Sequence, residues 1–210
     1  MGISRRAFGT AALSAVSALV VAGCGGGDGL PESQGQNYIE GDGSIVQFKP
    51  DERREPVEFT GTTVDGSSVD VAQYRGKVVV LNTWFAGCSP CRKEAPDMEA
   101  VWQEYAGRNV QFLGINTYDT AAIAESFQKS FGITYPSVLD AGSGAAMLAL
   151  RTYSPQATPT TLVLDTEGRV AARASGIVRK LDLSGMLDDA GATPAATPAG
   201  TSTASASAPA

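Results

Sequence analysis

Along the middle of the chain, apolar and polar positions recur with the periods of secondary structure. Val78-Val79-Val80-Leu81 carries no polar alternation, which predicts a strand over 78–82 buried on both faces of a sheet. Ahead of it, residues 57–64 and 67–71 flank Asp65-Gly66, a pair that supplies the positive φ of a tight turn, so a β-hairpin is expected. Behind it, Met98, Val101, Trp102 and Tyr105 recur at spacings of three and four and predict a helix with one apolar face, ending near Gly107. Pro96 falls inside that helix, where it removes a backbone donor and is expected to kink it.

The pattern continues as a strand over 110–116, a helix over 121–131 with Ile123, Phe127 and Phe131 on its apolar side, a strand over 135–139 and a helix over 145–153. It then changes character. Residues 160–164 and 169–175, joined by Asp165-Thr166-Glu167-Gly168, predict an antiparallel hairpin, followed by a short last helix from about Leu181. The order is an N-terminal hairpin and then β-α-β-α-β-α-β-β-α. Such alternation, closed by a hairpin, predicts an α/β domain over 45–189 with a mixed central sheet flanked by helices.

Outside that span the composition shifts. Residues 1–30 and 190–210 are rich in Ala, Gly, Ser, Thr and Pro and carry too little apolar surface to offset the entropy of ordering them. The tail 190–210 is expected to be disordered, and 24–44, opening on Gly25-Gly26-Gly27-Asp28-Gly29, to be a flexible tether. At the start, Arg5-Arg6 precedes a mildly apolar run from Ala7 to Ala22, the layout of a secretory signal over 1–23. Thr10, Ser14 and Ser17 interrupt the run, which is shorter than the roughly 20 apolar residues of a membrane-spanning helix.

The paired arginines, with Ser4 before and Phe8 after, resemble a twin-arginine export signal. Val21-Ala22-Gly23-Cys24 resembles a bacterial lipobox, which implies a mature chain that begins at a lipidated Cys24. Of the three cysteines, that leaves Cys88 and Cys91 for each other. The expected location is the outer face of the cytoplasmic membrane, held there by the lipid.

Charge and composition exclude several classes of function. The net charge is -6, and removing Arg5 and Arg6 with the signal leaves 14 basic against 22 acidic residues. No basic stripe offers a surface to nucleic acid, so nucleic acid is not an expected partner. The chain has no histidine. This removes Ser-His and Cys-His catalysis and His-ligated zinc, copper and haem iron, and it leaves cysteine and carboxylates to carry any chemistry.

The candidate chemistry sits in Trp84-Phe85-Ala86-Gly87-Cys88-Ser89-Pro90-Cys91-Arg92-Lys93-Glu94-Ala95-Pro96. Two cysteines separated by two residues, between a buried strand and a helix, read as a redox pair at a helix N-terminus. A zinc site would need four ligands, and with Cys24 expected to carry lipid the chain has no further thiol, and no imidazole, to complete it. With the later Ala157-Thr158-Pro159-Thr160, the stretch resembles the thioredoxin superfamily, and within it the TlpA/ResA-like membrane-anchored thiol-disulfide oxidoreductases. The resemblance covers about 50–188 and implies a thioredoxin-like fold with an N-terminal hairpin and an inserted β-α unit.

The resemblance implies a role for each of these residues. Cys88, just ahead of the first helical turn, has its thiolate favoured by free backbone N–H groups and is the expected attacking sulfur. Cys91, one turn further in and shielded, resolves the mixed disulfide and leaves a Cys88–Cys91 disulfide. No cofactor beyond that disulfide is expected. Pro159 occupies the family's cis-proline position, where Thr158 would pair its backbone with an extended partner segment. Glu94 matches the family's acidic position and is expected to exchange protons with the thiols, against the alternative of a solvated carboxylate beside Arg92 and Lys93. Trp84 and Phe85 are expected to form an apolar rim for a partner.

The leading expectation is an enzyme that reduces disulfides in exported proteins, with apocytochrome c a candidate substrate and a membrane-embedded electron donor upstream. An oxidase running the same steps in reverse is the alternative. The lack of an imidazolium between the cysteines favours reduction. A thiol peroxidase is disfavoured because Phe85 stands where such enzymes carry a threonine, and a copper chaperone because it would need a Cys-x3-Cys pair and a histidine.

Overall fold

The strand predicted at the centre of the chain is the centre of the sheet. In the computed structural model, which describes residues 41–153 and 155–192, β4 (Val78–Trp84) is buried along its whole length. The expected signal segment, Cys24, most of the expected tether and the tail beyond Ala192 lie outside the described residues. β4 pairs in parallel with β5 (Val110–Asn116), which pairs in parallel with β6 (Ser137–Leu139). On its other side β4 pairs antiparallel with β7 (Thr160–Leu164), and β7 with β8 (Val170–Ser175). β1 (Ile45–Gln47) closes that edge, so the strand order is β1-β8-β7-β4-β5-β6.

Alternation along the strands divides the core. Val78, Val80 and Phe112 point to one face and pack with Met98 and Val101 of α1 (Ser89–Glu104) and with Leu183, Met186 and Leu187 of α4 (Lys180–Asp189). Val79, Leu81, Leu113 and Ile115 point to the other and pack with Val57, Phe59 and Leu150, the last from α3 (Ala145–Leu150). At the end of the first face, Trp84 and Ala95 pack with Ala124 and Phe127 of α2 (Ala121–Phe131).

Three details differ from the sequence reading. The expected N-terminal hairpin forms a separate two-stranded sheet, β2 (Thr60–Thr62) with β3 (Ser68–Asp70), turning at Gly66 with φ +86°. It attaches beside β6, where Val64 N donates to the Ser137 carbonyl. The helix expected over 145–153 is α3 followed by a 3-10 turn, Arg151–Tyr153. On α2, Ile123 is 49% exposed although it is in phase with Phe127, because the buried face runs through Ala124 and Phe127.

Candidate active site

β4 delivers the chain to the site and α1 carries it away. After Trp84 the backbone turns so that Cys88 N donates to the Phe85 carbonyl at 3.1 Å, and Cys88 caps α1 with Pro90 in the first turn. Pro is favoured there because the first turn's N–H groups have no partner inside the helix. Cys88 Sγ accepts a hydrogen bond from Cys91 N at 3.2 Å and is bonded to Cys91 Sγ, with the two Cα atoms 5.3 Å apart. A sulfur in this position lies where the helix's partial positive charge favours a thiolate.

Two loops hold this turn. From β5, Asp119 Oδ2 accepts from Ala86 N at 2.6 Å and from Asn116 Nδ2 at 2.8 Å, while Asn116 Oδ1 accepts from Asp119 N at 2.8 Å. The carboxylate thus fixes the backbone two residues ahead of Cys88. From the other side comes the loop before β7, in which the Thr158–Pro159 peptide is cis. Thr160 N donates to Thr83 Oγ1 at 2.9 Å and ties this loop to β4. The Thr158 carbonyl oxygen lies 3.6 Å from Cys88 Sγ, and Pro159 O accepts from Gly176 N.

Glu94 is beneath the disulfide rather than at the surface. Cys91, Glu94, Met98 and Val101 share the inward face of α1 and are buried, while Arg92 and Lys93 point outward. Glu94 is 2% exposed, with Oε1 accepting from Asn82 Nδ2 at 2.8 Å and Oε2 from Val178 N at 3.2 Å. Asn82 Nδ2 also donates to Thr161 Oγ1. Burial opposes the charged form more strongly than these two bonds favour it, and it pushes the Glu94 carboxyl up to about 8. The acid form therefore predominates at neutral pH. Between Glu94 and Cys91 is a cavity of about 10 Å³, lined also by Asn82, Trp84, Phe127 and Tyr135.

The site brings together Cys88, Cys91, Glu94, Thr158 and Pro159. Two expectations change. Trp84 and Phe85 form no open rim: Trp84 packs on Phe127 with ring centroids 4.5 Å apart, and Phe85 is buried in the cluster around the disulfide. The exposed aromatic beside them is Tyr118, 62% exposed, with its ring 5.7 Å from that of Phe85. Shielding also extends to both sulfurs, since Cys88 is 0% and Cys91 2% exposed.

The sequence reading missed Asn82, the Val178 amide and Asp119. A polar residue following the run Val78–Leu81 is a visible signal for Asn82, because an amide on a buried strand needs a partner. No comparable signal marks Val178 or Asp119, whose roles depend on tertiary contact. Among the described residues, no three Cys, Asp or Glu side chains gather as a metal-binding group.

Known proteins resemble the chain in sequence and in fold. The Redoxin family model matches residues 44–189. Thiol-disulfide oxidoreductase ResA of Geobacillus kaustophilus is 31% identical over 131 residues, 62% of this chain and 73% of that protein. The crystal structure of a DsbF homologue from Corynebacterium diphtheriae is 35% identical with a TM-score of 0.62, covering 73% of this chain and 97% of that one. A secreted thiol-disulfide isomerase from Corynebacterium glutamicum is 26% identical with a TM-score of 0.60, covering 73% and 96%. With its Cys88–Cys91 pair bonded at the head of α1, the chain belongs to the redoxin family and is a thiol-disulfide oxidoreductase of the ResA type.

Proposed function

We propose that the protein is an exported reductase of protein disulfides, anchored to the outer face of the cytoplasmic membrane through lipid on Cys24. The observation that carries the chemistry is the Cys88–Cys91 disulfide at the N-terminus of α1, with a buried carboxylic acid on its inner side and the Thr158 backbone on its outer side. In the reduced enzyme, the Cys88 thiolate attacks one sulfur of a partner's disulfide, forms a mixed disulfide and expels the other sulfur as a thiolate. Cys91 then gives its proton to the Glu94 carboxylate and attacks Cys88 Sγ. The Cys88–Cys91 bond forms, the partner leaves with both sulfurs reduced, and two electrons have moved to the partner. A donor thiol on the membrane side recharges the pair by the reverse sequence, in which protonated Glu94 supplies the proton to departing Cys91.

One feature supports the reducing direction. The chain has no imidazolium near Cys88 to stabilise its thiolate strongly, which would make the disulfide a strong oxidant. The acid form of Glu94 is suited to protonating Cys91 as the disulfide opens, a step common to both directions. Substrates are exported proteins with exposed disulfides, apocytochrome c before haem attachment among the candidates.

The test is capture of the mixed disulfide in cells. In Cys91→Ser the resolving sulfur is gone, and exported proteins are expected to accumulate as reducible adducts of Cys88. The double variant Cys88→Ser/Cys91→Ser should show none. If Cys91→Ser gives no adducts, protein disulfides are not the substrate.

A further inference from the structure

The wall of the cavity beside the disulfide includes a tyrosine. Tyr135, immediately before β6, is 5% exposed and lines the space that Cys91 and Glu94 share. Its ring is fixed against Phe112 at a centroid distance of 5.6 Å. Among the described residues its backbone carbonyl accepts from Gln128 Nε2, while its hydroxyl is not one of the fully buried unpartnered atoms and is left available to a small polar guest. Burial and the neighbouring carboxyls of Glu94 and Glu99 push the phenol upward, so it stays protonated and can act only as a hydroxyl.

The cavity, at about 10 Å³, has room for a single water, and Glu94, Asn82 and Tyr135 on its wall offer polar groups beside the sulfur. Both carboxyl oxygens of Glu94 already accept a bond, from Asn82 and from Val178. In the acid form one of these oxygens also carries the proton, which can be donated to a water. A water between Glu94 and Cys91 needs a third partner to orient it, and the Tyr135 hydroxyl is the available group on the wall.

We propose that Tyr135 is a positioning residue for proton transfer between Glu94 and Cys91, its hydroxyl holding the one water through which the proton passes. This rests on the reading of Glu94 as proton carrier. When a donor thiolate attacks Cys88 Sγ, the new sulfur–sulfur bond forms as the Cys88–Cys91 bond breaks and its electron pair goes to Cys91. The water gives a proton to Cys91 and takes one from Glu94, which becomes the carboxylate. Tyr135 keeps its own proton throughout.

The charged groups around Glu94 are few. Asp97 raises its pKa from α1, Tyr135 faces it from before β6, and β4 offers only the Asn82 amide. Of the cations at the start of α4, Arg179 is paired with Asp182 and Lys180 with Glu104. The pH dependence of the step therefore belongs to Glu94.

The experiment follows reduction of the oxidised protein by dithiothreitol, read by Trp84 fluorescence in stopped flow and corrected for ionisation of the reagent. Wild type, Tyr135→Phe, Glu94→Gln and the double variant are compared from pH 6 to 10. In wild type the corrected rate falls as pH rises through about 8, where the acid form of Glu94 is lost. Glu94→Gln is expected to be slower by roughly 100-fold at pH 6 and flat with pH. Tyr135→Phe keeps the ring, and it should be roughly 10-fold slower below pH 8 and match wild type above it. The double variant should match Glu94→Gln alone.

A wild-type profile for Tyr135→Phe beside a flat one for Glu94→Gln would overturn the positioning role and leave Glu94 in place. A uniform slowing at every pH, or one that adds to that of Glu94→Gln, would mark Tyr135 as merely structural and likewise overturn it. A wild-type profile for Glu94→Gln would remove both readings.

Discussion

Replacing Glu94 by glutamine should reverse its effect on stability between acid and alkaline pH. A carboxyl that titrates at 4.5 in solvent and at about 8 in the fold binds its proton more tightly in the native state. Between those values the native protein holds more protons than the unfolded chain, so stability is highest below 4.5 and falls as pH rises towards 8. At about 1.4 kcal/mol for each tenfold change in proton concentration, wild type loses up to about 5 kcal/mol across this window.

Glutamine does not titrate, but it loses a contact. Its amide oxygen can accept from Asn82 Nδ2 or from Val178 N, and its amide nitrogen then faces the other donor. Leaving one buried donor without an acceptor costs about 1–3 kcal/mol. Glu94→Gln should accordingly be the less stable protein at pH 5 and the more stable at pH 9, with the curves crossing between about pH 5 and 7. Urea unfolding midpoints of the oxidised proteins, measured at unit steps of pH, test this. Parallel curves with no crossing would show that Glu94 is ionised in the fold and would refute the reasoning.

Two further outcomes concern the loop ahead of Cys88 and the proposed lipid site at Cys24. Asp119→Ala removes the acceptor for Ala86 N and Asn116 Nδ2, a charge-assisted pair whose loss should cost about 2 kcal/mol by urea unfolding and speed hydrogen exchange at the Ala86 amide. Unchanged exchange at that amide would mean that the turn ahead of Cys88 does not depend on the carboxylate. Cys24→Ala should move the exported protein from the membrane fraction to the soluble fraction, whereas continued sedimentation with membranes would rule out anchoring through that sulfur.

Where one residue's surroundings are set by its own element, the sequence was sufficient. Val78–Leu81 is apolar without a break because both faces of β4 are covered, and Cys91, Glu94, Met98 and Val101 lie in phase on α1, which puts a carboxyl on a buried stripe. Where the surroundings come from distant segments, it was not. Ile123 has the spacing of a core residue but is exposed because α2 turns Ala124 and Phe127 to the domain. Trp84 and Phe85 border the cysteines in sequence, yet Phe127 and the disulfide cluster draw both inward and leave Tyr118 at the surface. The polar partners of Glu94 were hidden for the same reason: Val178 is 84 positions away.

Whether electrons leave this protein through Cys88 and Cys91 towards partner disulfides is tested most directly by the reduction potential of that pair. Equilibration with glutathione or dithiothreitol buffers at pH 7, read by Trp84 fluorescence, gives the value. A reductase should lie below about -200 mV, nearer to thioredoxin than to the oxidising proteins of the periplasm. A value above about -150 mV would place the pair among disulfide donors and contradict the account.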